Sequence, residues 1–258
     1  MINFKILMVN NLTIDIIIPN FNKAKYLNQC LNSIISQTYK NWKVYLIDDN
    51  SNDNSKEILS KYQNIENIKI FNLKENKGPA YCRNLGIQKS NSELIAFLDS
   101  DDYWPEDKLE KQIKNMLNAN YNFTYTDFCF FFDNNLKEKK TTNLPSKYNY
   151  DTFLKHSSMS TSSIIIKREI LNNILFEKVN HEDYLFKCDL LKKGEVAYKI
   201  KETYVFYRIN KNNRSSNKFK NIFSLWRINK EKNNLKFLNN LKSIFFIALN
   251  SLKKYGWK

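Results

Sequence analysis

The sequence predicts an α/β fold: a mostly parallel central sheet flanked by helices, with a helical extension at the C-terminal end. Three observations carry this expectation. The first half of the 258-residue chain alternates short aliphatic runs with segments at helical spacing, the pattern of repeated βαβ units. One run, Leu94-Ile95-Ala96-Phe97, is continuously apolar, as strands buried on both faces are. Polar clusters close three of the expected strands, Asn20-Phe21-Asn22, Asp48-Asp49-Asn50-Ser51 and Asp99-Ser100-Asp101-Asp102. In such sheets ligands bind beyond the carboxyl ends of the strands, so the clusters are expected to share one rim.

Taken in order, residues 14–19 are β-branched and apolar, and 24–37 place Leu27, Leu31, Ile34 and Ile35 on one helix face. Residues 43–47 form a second strand, 55–62 a helix capped by Asp53 or Ser55, and 68–73 a third strand. Residues 78–88 are expected as a helix, 94–98 as the fourth strand, and 106–119 as a helix with Pro105 near its start. The second half is less regular. Residues 123–133 form an aromatic strand region, 161–166 another strand, 182–193 a helix and 205–208 a short strand. Residues 217–258 are expected to be helical, with Leu235, Leu238, Leu241, Phe245, Leu249 and Leu252 on one face and lysines opposite.

Composition narrows the function classes. The net charge of +15 is uneven: residues 217–258 hold ten Lys or Arg and one acid, a net of +9, leaving +6 for the rest. Two placements suit such a tail. It can lie on a membrane face as an interfacial helix, with Trp226, Tyr255 and Trp257 as anchors, or its apolar side can pack on the main domain. Nucleic acid is not an expected partner, because the strand-end clusters are acidic and no nucleic-acid-binding motif is present. Cys30, Cys82, Cys129 and Cys188 are widely spaced without CxxC pairs and are expected to be reduced and buried. The first residues have no apolar core with a small-residue cleavage site, and no stretch of about 18 apolar residues occurs.

The acidic cluster carries the chemistry. Three carboxylates within four positions repel one another, so a hard divalent cation, with further ligands from water and phosphate, is expected among them. A capping turn needs only one of the three. No GxGxxG and no P-loop follows the first strand, which excludes the familiar glycine-rich phosphate cradles.

These segments resemble family 2 glycosyltransferases, which have the GT-A fold. Ile16-Ile17-Ile18-Pro19-Asn20-Phe21-Asn22 resembles the family's opening strand. Ser36-Gln37-Thr38-Tyr39, Asp48-Asp49-Asn50-Ser51, Asn76-Lys77-Gly78-Pro79-Ala80 with Arg83-Asn84, Asp99-Ser100-Asp101-Asp102 and His181-Glu182-Asp183 follow in the family's order. The likeness is specific over about residues 13–105, looser to about 210, and absent as sequence in the tail. It implies a GT-A catalytic domain over 1–216 and a basic amphipathic extension over 217–258.

By this resemblance Asp49 accepts a hydrogen bond from the nucleotide base, uracil as a rule, although Asp48 or Asp49 equally suits capping of the helix after Ser51. Pro19 and Phe21 shape the base and ribose pocket, or simply pack the strand end. Arg83 lies near the diphosphate, or bridges structurally to one of the aspartates. Asp99 is placed near the ribose and Asp101 and Asp102 near the metal, Mn²⁺ or Mg²⁺, with the direct ligand left open. Glu182 joins the donor site and Asp183 is the catalytic base, though both equally suit the first turn of a helix. His181 is a neighbour, not a ligand. Tyr207-Arg208-Ile209 and Arg214 resemble a late segment that forms a flap, with Asn210 where members often have His.

The activity so implied is metal-dependent, inverting transfer from a nucleotide sugar, UDP-linked as a rule, to a glycan or lipid-linked acceptor in bacterial surface-polysaccharide synthesis. The expected location is cytoplasmic, at the inner face of the inner membrane. A nucleotidyltransferase of similar sheet architecture is the alternative, weakened by the missing glycine-rich loop; a non-catalytic basic binding protein is the other.

Overall fold

The computed structural model describes residues 12–133, 135–209 and 218–255. Expectations for residues 1–11, Asn210, Arg214 and Trp257, and for the side chain of Tyr255, lie outside the described residues. Among the described residues nine strands form one sheet: β1 (Ile14–Asn20), β2 (Trp42–Asp48), β3 (Ile68–Asn72), β4 (Leu94–Phe97), β5 (Phe123–Phe132), β6 (Asn135–Thr141), β7 (Lys147–Tyr148), β8 (Ile165–Lys167) and β9 (Ala197–Ile209). Their order is β3-β2-β1-β4-β8-β5-β9-β7, with β6 paired to β5.

The first four strands are parallel, with Asn20 beside Asp48, Asp48 beside Asn72 and Ile17 beside Phe97. The polar clusters therefore do end on one rim. Strand order reverses between β1 and β4, where open α/β sheets form a ligand crevice. The far half is mixed: β8 runs antiparallel to β4 and β5, while β5 and β9 are parallel.

The helices are α1 (Ala24–Ile35), α2 (Ser55–Ser60), α3 (Pro79–Lys89), α4 (Lys108–Asn118), α5 (Tyr150–His156), α6 (Glu182–Lys192), α7 (Lys218–Glu231) and α8 (Phe237–Tyr255). Leu27, Cys30, Leu31 and Ile34 of α1 are buried, as the helical spacing predicts. Phe97 of β4 meets Phe176 and Phe186 edge-on, at 5.4 and 5.9 Å between centroids, which seats α6 beside the central strand. All four cysteines are free and buried. Among the described residues no helix is long and apolar enough to cross a membrane.

Three elements differ from expectation. Residues 161–166 are not one strand: Thr161–Ser163 is a 3-10 turn and only β8 follows it. Hydroxyl side chains compete with the sheet for backbone groups, and here the Ser163 hydroxyl donates to the Ser160 carbonyl at 2.7 Å. The short strand at 205–208 is the end of the thirteen-residue β9; its pairing with β5 jumps from Thr126 beside Ile200 to Asp127 beside Tyr204, so residues 201–203 of β9 bulge from the ladder and mask the alternation. α4 begins at Lys108, because the Glu106 carbonyl accepts from the Thr38 amide and the Leu109 amide donates to Gln37 Oε1, which takes both out of the helical ladder.

Gly86 lets α3 lie close on the sheet. A Cβ there would sit 2.4 Å from Ile17 Cγ2 and 3.2 Å from Ile47 Cδ1. Gly86→Ala gains about 1 kcal/mol of helix propensity but overpacks a filled interface at a cost of about 1–3 kcal/mol. The expected net result is a melting temperature a few degrees lower by calorimetry; an unchanged or raised value would contradict this packing.

Candidate active site

The acidic turn is shaped from below. The Asp99 amide donates to Ser162 Oγ at 3.1 Å, and the Asp102 amide donates to the Asp99 carbonyl at 2.9 Å. Asp102 points inward and is 1 % exposed. Its Oδ2 accepts from the Ser162 hydroxyl at 2.6 Å and its Oδ1 from the Arg208 amide at 3.0 Å. Burial, then the neighbouring Asp101 and Asp99, push its carboxyl well above the usual range. Asp101 instead points to the rim, its side chain 16 % exposed, with Oδ2 2.6 Å from Lys23 Nζ. The structure thus separates the two expected metal ligands.

Arg83 joins the acidic turn to α6. Its Nη2 lies 2.7 Å from Asp99 Oδ1, its Nη1 2.9 Å from Glu182 Oε1, and its guanidinium 5.2 Å from the Phe176 ring centroid. Burial works against the charge, but Asp99 and Glu182 outweigh it and raise the arginine above its ordinary value. The bridging alternative for Arg83 is what the structure shows. Both Nη groups are engaged in it.

Asp183 follows Glu182 in the first turn of α6, after His181 in the left-handed region at φ 61°. Its Oδ2 accepts from Lys187 Nζ at 2.8 Å and from the Thr161 hydroxyl at 3.2 Å. Its Oδ1 has no hydrogen-bond partner among the described residues. Lys187 is buried and also donates to the Met159 carbonyl at 2.7 Å. Burial works to raise the Asp183 carboxyl, but the Lys187 ammonium, aided by Arg83, holds it well below the ordinary carboxylate range. The result is an ionised carboxylate with one oxygen fixed and one available.

On the other flank, Asp49 accepts from the Lys77 amide at 2.7 Å through Oδ1 and from the Gly78 amide at 2.8 Å through Oδ2. Gly78 has φ +86° and ψ 164°, a conformation open in practice to glycine alone. Asp48 holds the turn at Ser51, accepting from its amide and hydroxyl at 3.0 and 2.6 Å, and neither Asp48 nor Asp49 caps α2, whose N-cap is Asn54. Pro19 is half-buried and Phe21 is exposed at the end of β1. A cavity of about 470 Å³ opens beside the clamped loop, between Asn76, Lys77, Tyr81, Asn84 and Phe176.

Arg208 is a buried residue of β9, 2.8 Å from Asp133 Oδ1 through Nη1 and 3.0 Å from the Asp101 carbonyl through Nε, while the later part of the expected flap segment, with Arg214, lies outside the described residues. These contacts make Arg208 a fixed wall of the site. Of the expected residues, Arg83, Asp99 and Glu182 are directly bonded, and the Thr161–Ser163 turn connects Asp102 to Asp183. Pro19, Phe21 and Asp49 stand apart at the ends of β1 and β2. Sequence reasoning missed Lys23, Thr161, Ser162 and Lys187. The i,i+4 spacing of Asp183 and Lys187 was a readable signal; Lys23, Thr161 and Ser162 had none.

The sequence profile described as glycosyl transferase family 2 matches residues 15–175. Escherichia coli WfgD, a UDP-Glc:alpha-D-GlcNAc-diphosphoundecaprenol beta-1,3-glucosyltransferase, is 32 % identical over 80 % of this chain and 81 % of its own. Staphylococcus aureus TarS 1-349 in complex with UDP-GlcNAc superposes with a TM-score of 0.71 at 19 % identity, covering 94 % of this chain and 73 % of that one. The mannosyltransferase PcManGT of Pyrobaculum calidifontis, in complex with GDP-Man and Mn²⁺, gives 0.68 at 14 % identity, covering 96 % and 76 %. The fold is GT-A.

The Asp183–Lys187 pair makes a pH prediction. The folded carboxyl titrates below its unfolded value of about 3.9. Asp183 therefore contributes stability that is present above that pH and lost as the pH falls through the folded value. In Lys187→Met burial is no longer opposed by the ammonium, so the carboxyl is expected to titrate higher, as read by carbon-detected NMR of labelled Asp. Identical titration in both proteins would show that Lys187 does not set the value.

Proposed function

Because the chain belongs to glycosyl transferase family 2, we propose that it moves a sugar from a UDP-sugar to a hydroxyl of a lipid-linked glycan, with inversion, in bacterial surface-polysaccharide assembly. The observation that carries this reading is the state of Asp183: ionised, fixed through Oδ2 and open at Oδ1. The UDP-GlcNAc in TarS and the diphosphoundecaprenol acceptor in the name of WfgD support the two substrate classes.

In the proposed reaction the acceptor hydroxyl gives its proton to Asp183 Oδ1 as its oxygen bonds to the anomeric carbon. The bond from that carbon to the diphosphate oxygen breaks, and its electron pair leaves with the nucleoside diphosphate. Attack opposite the leaving group inverts the centre. A carboxylate held at low pKa is a weak base but is always unprotonated at neutral pH, and the hydroxyl grows acidic only as its new bond forms. Asp49 keeps a lone pair on each oxygen beyond its two amide contacts, enough to accept from a uracil N–H. Pro19 and Phe21 border the base, and Asp99 the ribose. Arg83 positions Asp99 and Glu182.

The acidic turn fits a hard cation, Mg²⁺ or Mn²⁺. Asp101 and Asp99 each offer a carboxylate oxygen not bonded to Lys23 or Arg83, whereas both oxygens of Asp102 are engaged. Among the described residues no three His, Cys, Asp or Glu form a cage, so water and phosphate oxygens would complete the coordination. We assign Asp101 as the ligand and Asp102 as its support. When bound, the cation neutralises charge developing on the departing diphosphate.

Release of UDP from a panel of nucleotide sugars, with and without Mn²⁺, tests the activity. Asp183→Asn is expected to lower transfer by about 10²-fold or more while leaving UDP binding near wild type. A loss seen as weak UDP binding would move Asp183 into the nucleotide site.

The two aspartates should also part company in calorimetric titration. Asp101→Asn is expected to abolish Mn²⁺ binding in the presence of UDP. Asp102→Asn, whose amide can still pair with both Ser162 and the Arg208 amide, is expected to retain it with an unchanged or raised melting temperature. Equal loss in both variants would return Asp102 to the metal shell.

A further inference from the structure

α8 docks through a mixed face and leaves a second apolar face outside. On the docked side Ile247 joins the hydrophobic core and Ile244 packs against it, beside buried Asn240 and Ser243. The Ser243 hydroxyl donates to the Leu154 carbonyl of α5 at 2.6 Å, Asn240 Nδ2 to the Trp226 carbonyl of α7 at 3.0 Å, and Asn250 Nδ2 to the Lys155 carbonyl at 3.0 Å. Leu238, Leu241, Phe245 and Leu249, three to four residues apart, form a stripe on the outside. Leu238 is 66 % and Phe245 61 % exposed, with Phe237 and Phe246 flanking them and Phe223 of α7 70 % exposed. Of the ten large apolar side chains exposed among the described residues, seven belong to these two helices. Apolar side chains clustered at this density mark an interaction surface.

We propose that this face of α7 and α8 seats the enzyme on an anionic phospholipid bilayer. Charge selects the occupant. Exposed Lys242 and Lys253 share α8 with the stripe, exposed Lys236 immediately precedes it, and exposed Lys220 and Lys230 lie on α7. The single acid of residues 217–258, Glu231, is paired with Arg227 at 3.0 Å. A second copy of this chain would bring two such cationic faces together, whereas anionic headgroups complement them while the apolar stripe enters the acyl boundary. Lysine stems can lie along the stripe with their ammonium groups at headgroup level.

The seam beneath α8 gives the seat a use. Tyr184, the residue after the proposed base, donates to Asn229 Oδ1 at 2.8 Å, and Asn229 Nδ2 donates to Ser243 Oγ at 3.0 Å. A hydrogen-bonded path therefore runs from α6 through α7 to α8, fixing Asp183 relative to the membrane plane. This use rests on the lipid-linked acceptor proposed above, whereas the surface itself does not.

The test is flotation of the full chain with phosphatidylcholine vesicles, with and without phosphatidylglycerol, at low and high salt. Wild type is expected to float with the anionic vesicles at low salt and to be released as salt rises. The double variant Leu241→Glu/Phe245→Glu is expected to lose binding by about tenfold or more, with unchanged melting temperature and unchanged transfer to a water-soluble acceptor. Lys236→Glu/Lys242→Glu is expected to lose the preference for phosphatidylglycerol. Wild type that never floats, a Leu241/Phe245 variant that floats equally well, or a wild-type dimer that the variant dissolves without any vesicle binding would each overturn the inference. Wild type that floats yet transfers no sugar would count against the proposed function and leave the membrane seat intact.

Discussion

A single guanidinium, enclosed beneath the rim, sets the geometry on which the other site residues depend. Arg83 is buried, and both of its ion-pair partners come from elements far apart in the chain, Asp99 after β4 and Glu182 at the start of α6. Removing one member of such a pair strands a charge in a poorly solvated place, which typically costs about 3–5 kcal/mol. A lysine could not reproduce the two-armed contact. The reach of Arg83 depends in turn on Gly86, three residues later on the same helix, which lets α3 settle directly on Ile17 and Ile47.

The rim remains acidic without being unstable because nearly every carboxylate has its own donors. Asp48 and Asp49 use theirs to shape loops, holding the turn at Ser51 and the Lys77-Gly78 backbone. Asp102 is tied to Ser162 and to β9. Asp101 is held by the partly exposed Lys23 at 2.6 Å. Burial first and the like charges of Asp101 and Asp99 second fall on Asp102 and raise its carboxyl.

The 3-10 turn at Thr161–Ser163 integrates these parts. Ser162 supports the acidic turn, its carbonyl accepts from Trp104 Nε1 at 2.9 Å, and Thr161 supports Asp183. Lys187 then draws Asp183 Oδ2 and the Met159 carbonyl together from within α6. The tail helices extend this framework through Tyr184 and Asn229, so the most positively charged segment of the chain is docked on the very helix that bears the candidate base.

Much of this was legible along the chain. The strand–helix alternation, the three strand-end clusters and the Glu182-Asp183 helix start all follow from local periodicity and capping preferences, which neighbouring residues determine. The run Thr161-Ser162-Ser163 was less legible, because hydroxyl residues suit strand and turn alike until their partners are known. What only the tertiary structure decided is the direction of individual side chains: Asp102 inward and Asp101 outward from adjacent positions, Arg83 bridging, Arg208 fixed in a strand, and α8 packed through Asn240 and Ser243 with its leucines outside. Each of these depends on a partner brought close by the sheet from a distant part of the sequence, and no spacing within one segment encodes where that partner will lie.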